Sequence, residues 1–382
     1  MKVVIAIDSF KGCLSSLEAG NAIKNAIASL VDEVIVVPIA DGGEGSVEAM
    51  ISAIKAKKRE VLSLDPLGRE LKTNYAYVDN QAIMEMASSC GLTLLDENER
   101  NPEQTSTYGL GLMIKDALKL GVRKFIIGIG GSATNDAGMG MLKALGFEFY
   151  DEFKNPLAPK GKNLAKIASI SDLNALKELK ECEFLVACDV NNPLFGKSGA
   201  AHIYGVQKGA DSAMIERLDM GLRNFSKITS EFFGVDNSNL AGSGAAGGLG
   251  FGLVSFLGAK LQPGFEIISN VVGLKDKLVG ADLVITGEGR LDYQSIMGKT
   301  PSAVAKLAKT NANVTVIALA GAISDGAKSC NECIDAYFCI QQGAISLAKA
   351  LKPEVAKANL SAVSLQALRL FLASKSAKDS HH

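Results

Sequence analysis

Phe125-Ile-Ile-Gly-Ile-Gly-Gly-Ser-Ala-Thr-Asn-Asp-Ala-Gly138 joins an apolar run, a glycine cluster and a polar, acid-bearing stretch. Residues 125–129 read as a buried strand, and Gly128, Gly130 and Gly131 permit close backbone approaches that a Cβ would block. Ser132, Thr134, Asn135 and Asp136 then meet a helix predicted to begin near Asp136 and to run through Met141, Leu142 and Leu145. Amide donors at a helix N-terminus attract anions, so Gly130, Gly131, Ser132, Thr134 and Asn135 are candidates for holding phosphate. The structural alternative is a tight turn in which Asn135 or Asp136 only caps the helix. Either way, strand, glycine loop and helix in succession spell an α/β protein.

The same grammar recurs on both sides. Residues 3–7 predict a strand, 17–31 a helix opened by the capping pair Ser15 and Glu18, and 34–37 a second strand. Asp41-Gly-Gly-Glu-Gly45 then precedes a helix with Val47, Met50, Ile51 and Ile54 on one face, and the Lys55 to Arg59 charge run reads as its solvated end. Between Glu60 and Met86 the pattern changes. Leu71, Thr73, Tyr75 and Tyr77 alternate, Asp79-Asn80 turns and Ala82-Ile-Met84 resumes, which is an antiparallel hairpin. Residues 108–120 are helical up to Gly121, 184–188 form a strand, and a long amphipathic helix carries Ile215, Leu218, Leu222, Phe225 and Phe232. Strands at 283–286, 314–319 and 336–340, a helix entered by Thr300-Pro301 and two closing helices complete the chain. The predicted fold is a doubly wound parallel-sheet domain built from residues 1–60 and 270–382. Residues 61–269 are inserted as a second α/β domain with a mixed sheet, and the active site is expected in the cleft between the two.

Composition narrows the function. With 382 residues and 47% hydrophobic content, the chain exceeds one ordinary core. Forty basic against forty-one acidic residues, with no dense basic tract, argue against a nucleic acid partner. No apolar run reaches the roughly 20 residues that cross a bilayer. Seven unpatterned cysteines fit a reducing compartment, so a cytoplasmic protein without membrane partners is expected, with a homo-oligomer left open. Cys330-Asn-Glu-Cys333 with Cys339 lacks a fourth zinc ligand nearby. His381-His382 read as a tag and are set aside, which leaves His202 alone and disfavours a Ser/His/Asp triad or a multi-histidine metal site.

Gly196-Lys-Ser198 and Gly298-Lys-Thr300 lack the upstream glycine of a phosphate loop. Gly242-Ser-Gly-Ala-Ala-Gly247 satisfies a dinucleotide fingerprint but follows no buried strand, and close packing of small residues explains it equally well. What remains is a set of loops rich in acids and glycine: 8–12, 41–45, 130–138, 189–193 and 287–292. In an α/β fold such strand-end loops converge on one edge. Phosphoryl transfer needs cations around the phosphates, carboxylates for Mg²⁺ and an acid at the acceptor hydroxyl. Lys11 and Arg290 are the candidate phosphate stabilisers, Asp189 the candidate base, and Asp292 and Asp136 the candidate Mg²⁺ ligands. Asp8, Ser9 and Arg69 are candidates for the acceptor, with Arg69 and Arg290 able to clamp a carboxylate in two-pronged fashion.

These residues fall in blocks that together resemble the bacterial glycerate kinase family. The blocks are DSFKG at 8–12, ADGGEG at 40–45, DPLGR at 65–69, TSTYGLG at 105–111 and GIGGSATNDAG at 128–138. DVNNPLFG at 189–196, QKGA at 207–210, GAAGGLGFG at 244–252, ITGEGRLDYQS at 285–295 and GKTP at 298–301 extend the match over nearly the whole chain. Cys13 and Val206 stand where the family pattern has serine and proline. The resemblance implies a flavodoxin-like domain facing a second α/β domain. It also implies ATP- and Mg²⁺-dependent phosphorylation of D-glycerate to a 2- or 3-phospho product in the cytoplasm. Two rival readings are a nicotinamide-dependent oxidoreductase of a small hydroxy acid, built on residues 242–247, and a non-catalytic phosphosugar-sensing module.

Overall fold

The computed structural model describes residues 1–40, 46–292, 300–312, 314–324 and 332–379; the glycine loop 41–45, the segment 293–299 and Cys330 lie outside them. The strands in chain order are β1 (Lys2–Ile5), β2 (Glu33–Val36), β3 (Lys57–Leu64), β4 (Glu70–Val78), β5 (Gln81–Glu85), β6 (Lys124–Gly128), β7 (Glu148–Tyr150), β8 (Ser169–Ser171), β9 (Glu183–Ala187), β10 (Lys260–Gln262), β11 (Leu283–Leu291), β12 (Thr315–Ile323) and β13 (Ala336–Cys339). Two compact units result, one comprising residues 1–41, 48–55 and 265–382, the other residues 42–47 and 56–264.

The first unit holds a five-stranded sheet in the order β13-β12-β11-β1-β2, every pair parallel. Numbered along this unit alone, the order is 2-1-3-4-5, the flavodoxin-like winding, with the other unit inserted after its second strand. Buried on both faces, β1 and β11 read as continuous apolar runs: Val3, Val4 and Ile5 are sealed, as are Leu283, Val284 and Ile285. The helix Ser16–Ile27 begins at the predicted capping box, in which Ser15 and Glu18 satisfy each other's backbone amides. It buries Ile23 and Ile27 in the same cluster as Leu360 and Leu368 of the helix Pro353–Asp379. Ser361 Oγ donates to the Ala22 carbonyl at 3.0 Å, and Lys357 pairs with Glu18 at 2.8 Å, fastening these helices together.

The second unit holds a six-stranded mixed sheet, β10-β9-β6-β5-β4-β3. The strands β10, β9, β6 and β5 run parallel, and β4 and β3 are antiparallel additions. The predicted hairpin is β4-β5, with Asp79 at the turn in a left-handed conformation. The charge run after residue 54 is not a helix end. The helix Ser46–Ile54 stops there, and Lys57, Lys58 and Arg59 open the edge strand β3, where exposed lysines discourage pairing with another chain. Phe125 and Phe184 stack across β6 and β9 with ring centroids 4.8 Å apart in the larger core cluster. No described helix is long and apolar enough to cross a membrane.

Candidate active site

In a 2-1-3-4-5 sheet the chain winds to opposite sides from its first and third strands, so a crevice opens beyond their carboxyl ends. Here those strands are β1 and β11, and a pocket of about 670 Å³ lies there. Asp8, Ser9, Phe10 and Lys11 supply one side of it, and Glu288, Gly289, Arg290 and Asp292 another. Two segments far apart in the chain thus bring Asp8, Ser9, Lys11, Arg290 and Asp292 of the predicted set into one pocket.

The first segment is rigid for local reasons. Phe10 and Leu14 exchange backbone hydrogen bonds at 2.8 and 3.0 Å, and the Cys13 amide donates to the Phe10 carbonyl at 2.8 Å. Lys11 and Gly12 form the tip of this β-turn. Gly12 has φ +70°, a conformation in which side chains are disfavoured, so the glycine lets the turn close and leaves Lys11 exposed. Asp8 is 6% exposed; its Oδ1 accepts the Ser9 amide and its Oδ2 the Thr300 hydroxyl, both at 2.6 Å. Ser16 Oγ, donating to the Ile7 carbonyl and accepting from the Ile39 amide, ties the strand end to its neighbour.

The second segment is the end of β11, which is longer than predicted. Beyond the reach of β1, residues 288–291 continue to pair with 320–323 of β12, so Arg290 is carried out into solvent on a paired strand. The remaining lining is largely apolar or small: Gly321 and Ala322 from β12, then Ile340, Gly343, Ala344, Ile345, Leu347, Ala350 and Leu351, with Gln341 among them.

The loop 130–138 behaves differently. Only Gly130 and Gly131 are exposed; from Ser132 onward the loop is buried. The helix starts at Met139, not near Asp136, and is six residues long. Its early amides are already taken, because Asp136 Oδ2 accepts Gly140 N at 3.1 Å and Thr107 Oγ1 accepts Met141 N at 3.0 Å. Asp136 Oδ2 also accepts the Thr107 amide and hydroxyl, both at 2.8 Å, and Oδ1 accepts Gly138 N. The carboxyl, fully buried, is pushed above its ordinary value by desolvation, which these hydrogen bonds partly offset. Asp136 is therefore a sealed structural anchor, and the geometry gives a metal ion no approach to it. Thr134 and Asn135 are equally sealed.

Lys208, to which sequence reasoning gave no role, explains part of that sealing. Its ammonium is buried, donating to the Thr134 carbonyl at 2.7 Å and to Ser132 Oγ at 3.3 Å. Burial pulls its pKa down to about 7, against the opposing pull of Asp136. The Gln207 to Ala210 block was the available signal. The glycine-rich segment after residue 242 closes the other side. The Ala137 amide donates to the Gly247 carbonyl, and a Cβ on Gly247, which has φ +69°, would come within 2.0 Å of the Thr134 carbonyl. Ala137 and Ala246 both adopt positive φ, strain that close packing sustains. The dinucleotide-like glycines thus serve backbone packing.

Arg69 is engaged on both prongs, with Asp65 at 2.5 Å and Glu99 at 2.6 Å. These partners hold its guanidinium above the ordinary range. Asp189 is exposed just beyond β9, in the second unit, and its Oδ1 accepts the Gly264 amide at 2.9 Å. His202 faces Glu216 and Asp219 in that unit and does not line the pocket. For Mg²⁺, no group of three or more His, Cys, Asp or Glu is gathered among the described residues. Mg²⁺ bound with a nucleotide takes only one or two protein carboxylates and the rest from phosphate and water. Asp292 and Glu288, both lining the pocket beside Arg290, fit that demand.

The family model of the glycerate kinase family matches residues 3–372. A glycerate kinase of Halalkalibacterium halodurans is 41% identical over 355 residues, covering 92% of this chain and 93% of its own. A glycerate 2-kinase of Escherichia coli is 42% identical over 329 residues, covering 85% and 86%. The crystal structure of a glycerate kinase 2 from Salmonella typhimurium LT2 superposes with a TM-score of 0.90 at 40% identity, covering 98% of this chain and 99% of that one. The chain belongs to the glycerate kinase family.

Proposed function

We propose that this protein transfers the γ-phosphoryl group of ATP to D-glycerate. The observation that carries this reading is the pairing, in one pocket, of two cations with carboxylates: Lys11 and Arg290 with Asp8, Glu288 and Asp292. Phosphoryl transfer asks for little covalent help from a protein and much charge stabilisation. Lys11, exposed at its turn tip, and Arg290, on a paired strand, take the charge that develops on the transferring oxygens. Asp292, with Glu288, would hold Mg²⁺, which when bound neutralises phosphate charge. Asp8, fixed by Thr300 and the Ser9 amide, orients the reacting groups beside Ser9. Asp189 is the proposed base for the acceptor hydroxyl, and Gly130 and Gly131 offer the exposed part of their loop to phosphate. The 2-hydroxyl is the acceptor we favour, because the E. coli relative is a glycerate 2-kinase. A cytoplasmic setting accords with the use of ATP.

D-glycerate-dependent ADP release from purified protein tests the activity. An Asp189→Asn variant is expected to lose about 10²- to 10⁴-fold in kcat, the usual contribution of a positioned general base. An Asp189→Asn enzyme at the wild-type rate would remove Asp189 from the role.

A further inference from the structure

The lining of the first-unit pocket comes from segments of different chemistry. Its charged part, Lys11, Glu288, Arg290 and Asp292, lies where β1 and β11 end. Its apolar part comes from the segment after β13: Ile340, Ile345, Leu347, Ala350 and Leu351. Two leucines of the apolar part are exposed among the described residues. Leu347 is 73% and Leu351 41% exposed, on short helical turns that could as easily have carried polar residues. A three-carbon acid bears a carboxylate and two hydroxyls and has no apolar surface to match such a wall. A nucleoside triphosphate has one flat, weakly polar end and one highly charged end. The volume of about 670 Å³ is that of a site for a molecule of that size.

From this we infer that the first-unit pocket is the nucleotide site, with the base against Ile345, Leu347 and Leu351 and the phosphates towards Lys11 and Arg290. The inference rests on the ATP-dependent reading above and deepens it by assigning one of the two substrates to one unit. Position supports the assignment, since mononucleotides bind at the strand-order switch point in sheets wound as this one is. Small residues at Gly343 and Ala344 leave room for a planar ring, and Gln341 supplies a polar edge for its heteroatoms.

The test is direct binding of a non-hydrolysable ATP analogue, measured by calorimetry without glycerate, in wild type and in Leu351→Glu and Leu347→Glu. Both leucines are exposed enough for the variants to fold, and melting temperature checks this. The expected result is about tenfold or greater weakening of analogue binding in each variant, as lost apolar contact and added negative charge predict. The KM for glycerate should stay within about twofold in the same variants. Unchanged analogue affinity in both folded variants, or a rise confined to the glycerate KM, would overturn the assignment. A wild-type protein that binds the analogue through these leucines but does not phosphorylate glycerate would keep the nucleotide site and sink only the choice of acceptor.

Discussion

The turn 8–14 and the loop 130–138 are made of the same kinds of residue, glycine, serine and aspartate at the end of a parallel strand, yet they spend their polar groups in opposite ways. In the first, the backbone closes a turn by itself, through Phe10, Cys13 and Leu14, and Lys11 is left exposed at the tip. In the second, Asp136, Thr107 and Lys208 consume the donors and acceptors of the loop from within. A ligand meets charge at one and, beyond Gly130 and Gly131, a closed surface at the other. Residue type marks both as candidates; hydrogen-bond accounting separates chemistry from scaffolding.

The strongest way to break this contrast is Asp136→Ala. Removing a buried carboxylate that satisfies four donors, and leaving Lys208 without its nearby counter-charge, should cost about 3–5 kcal/mol in urea unfolding. A variant as stable as wild type would mean that the loop is not anchored as described. Lys11→Ala is the counterpart: a fall in kcat of about 10²- to 10³-fold is expected, as when one preorganised charge-stabilising donor is removed, while the melting temperature holds. A folding defect without a selective loss of rate would place Lys11 among the scaffolding groups.

A smaller effect comes from Lys208 and carries a definite sign. In the unfolded chain its ammonium titrates near the ordinary lysine value, and in the folded chain at about 7. Between those values the unfolded chain holds the extra proton. Stability from this group therefore rises as pH climbs from about 7 towards 10, and is lost as pH falls across that window. Wild type should gain stability relative to Lys208→Met between pH 7 and pH 9, and parallel pH curves for the two would contradict a buried lysine. The smallest change is expected for Arg69→Lys, whose half-exposed guanidinium is committed to Asp65 and Glu99. Neither KM should move beyond about twofold, as for exposed ion pairs elsewhere; a large rise in the glycerate KM would return Arg69 to substrate binding.

These contrasts mark what was legible in the sequence. The sheet of the first unit was, because its strands are apolar runs flanked by capping and glycine signals such as Ser15 with Glu18. The hairpin of the second unit followed from strict alternation, whereas the edge strand β3 was masked by its own lysines, a device that also suits a helix end. The charged half of the pocket was visible as Asp8 to Lys11 and Arg290 to Asp292, since glycine and acid at strand ends are a local pattern. Its apolar half was not, because Ile345, Leu347 and Leu351 come from short irregular turns without periodicity. The sealing of Asp136 was hidden for a different reason. It depends on Thr107 and Lys208, which approach only after the chain has folded, and no spacing rule reports that.

The most direct test of the whole account is the phosphorus NMR spectrum of a reaction containing the protein, ATP, Mg²⁺ and D-glycerate. As the ATP signals give way to ADP, one phosphomonoester resonance is expected to grow in equal amount and to match 2-phosphoglycerate. Inorganic phosphate as the sole new signal, or ATP left intact by folded protein, would contradict it.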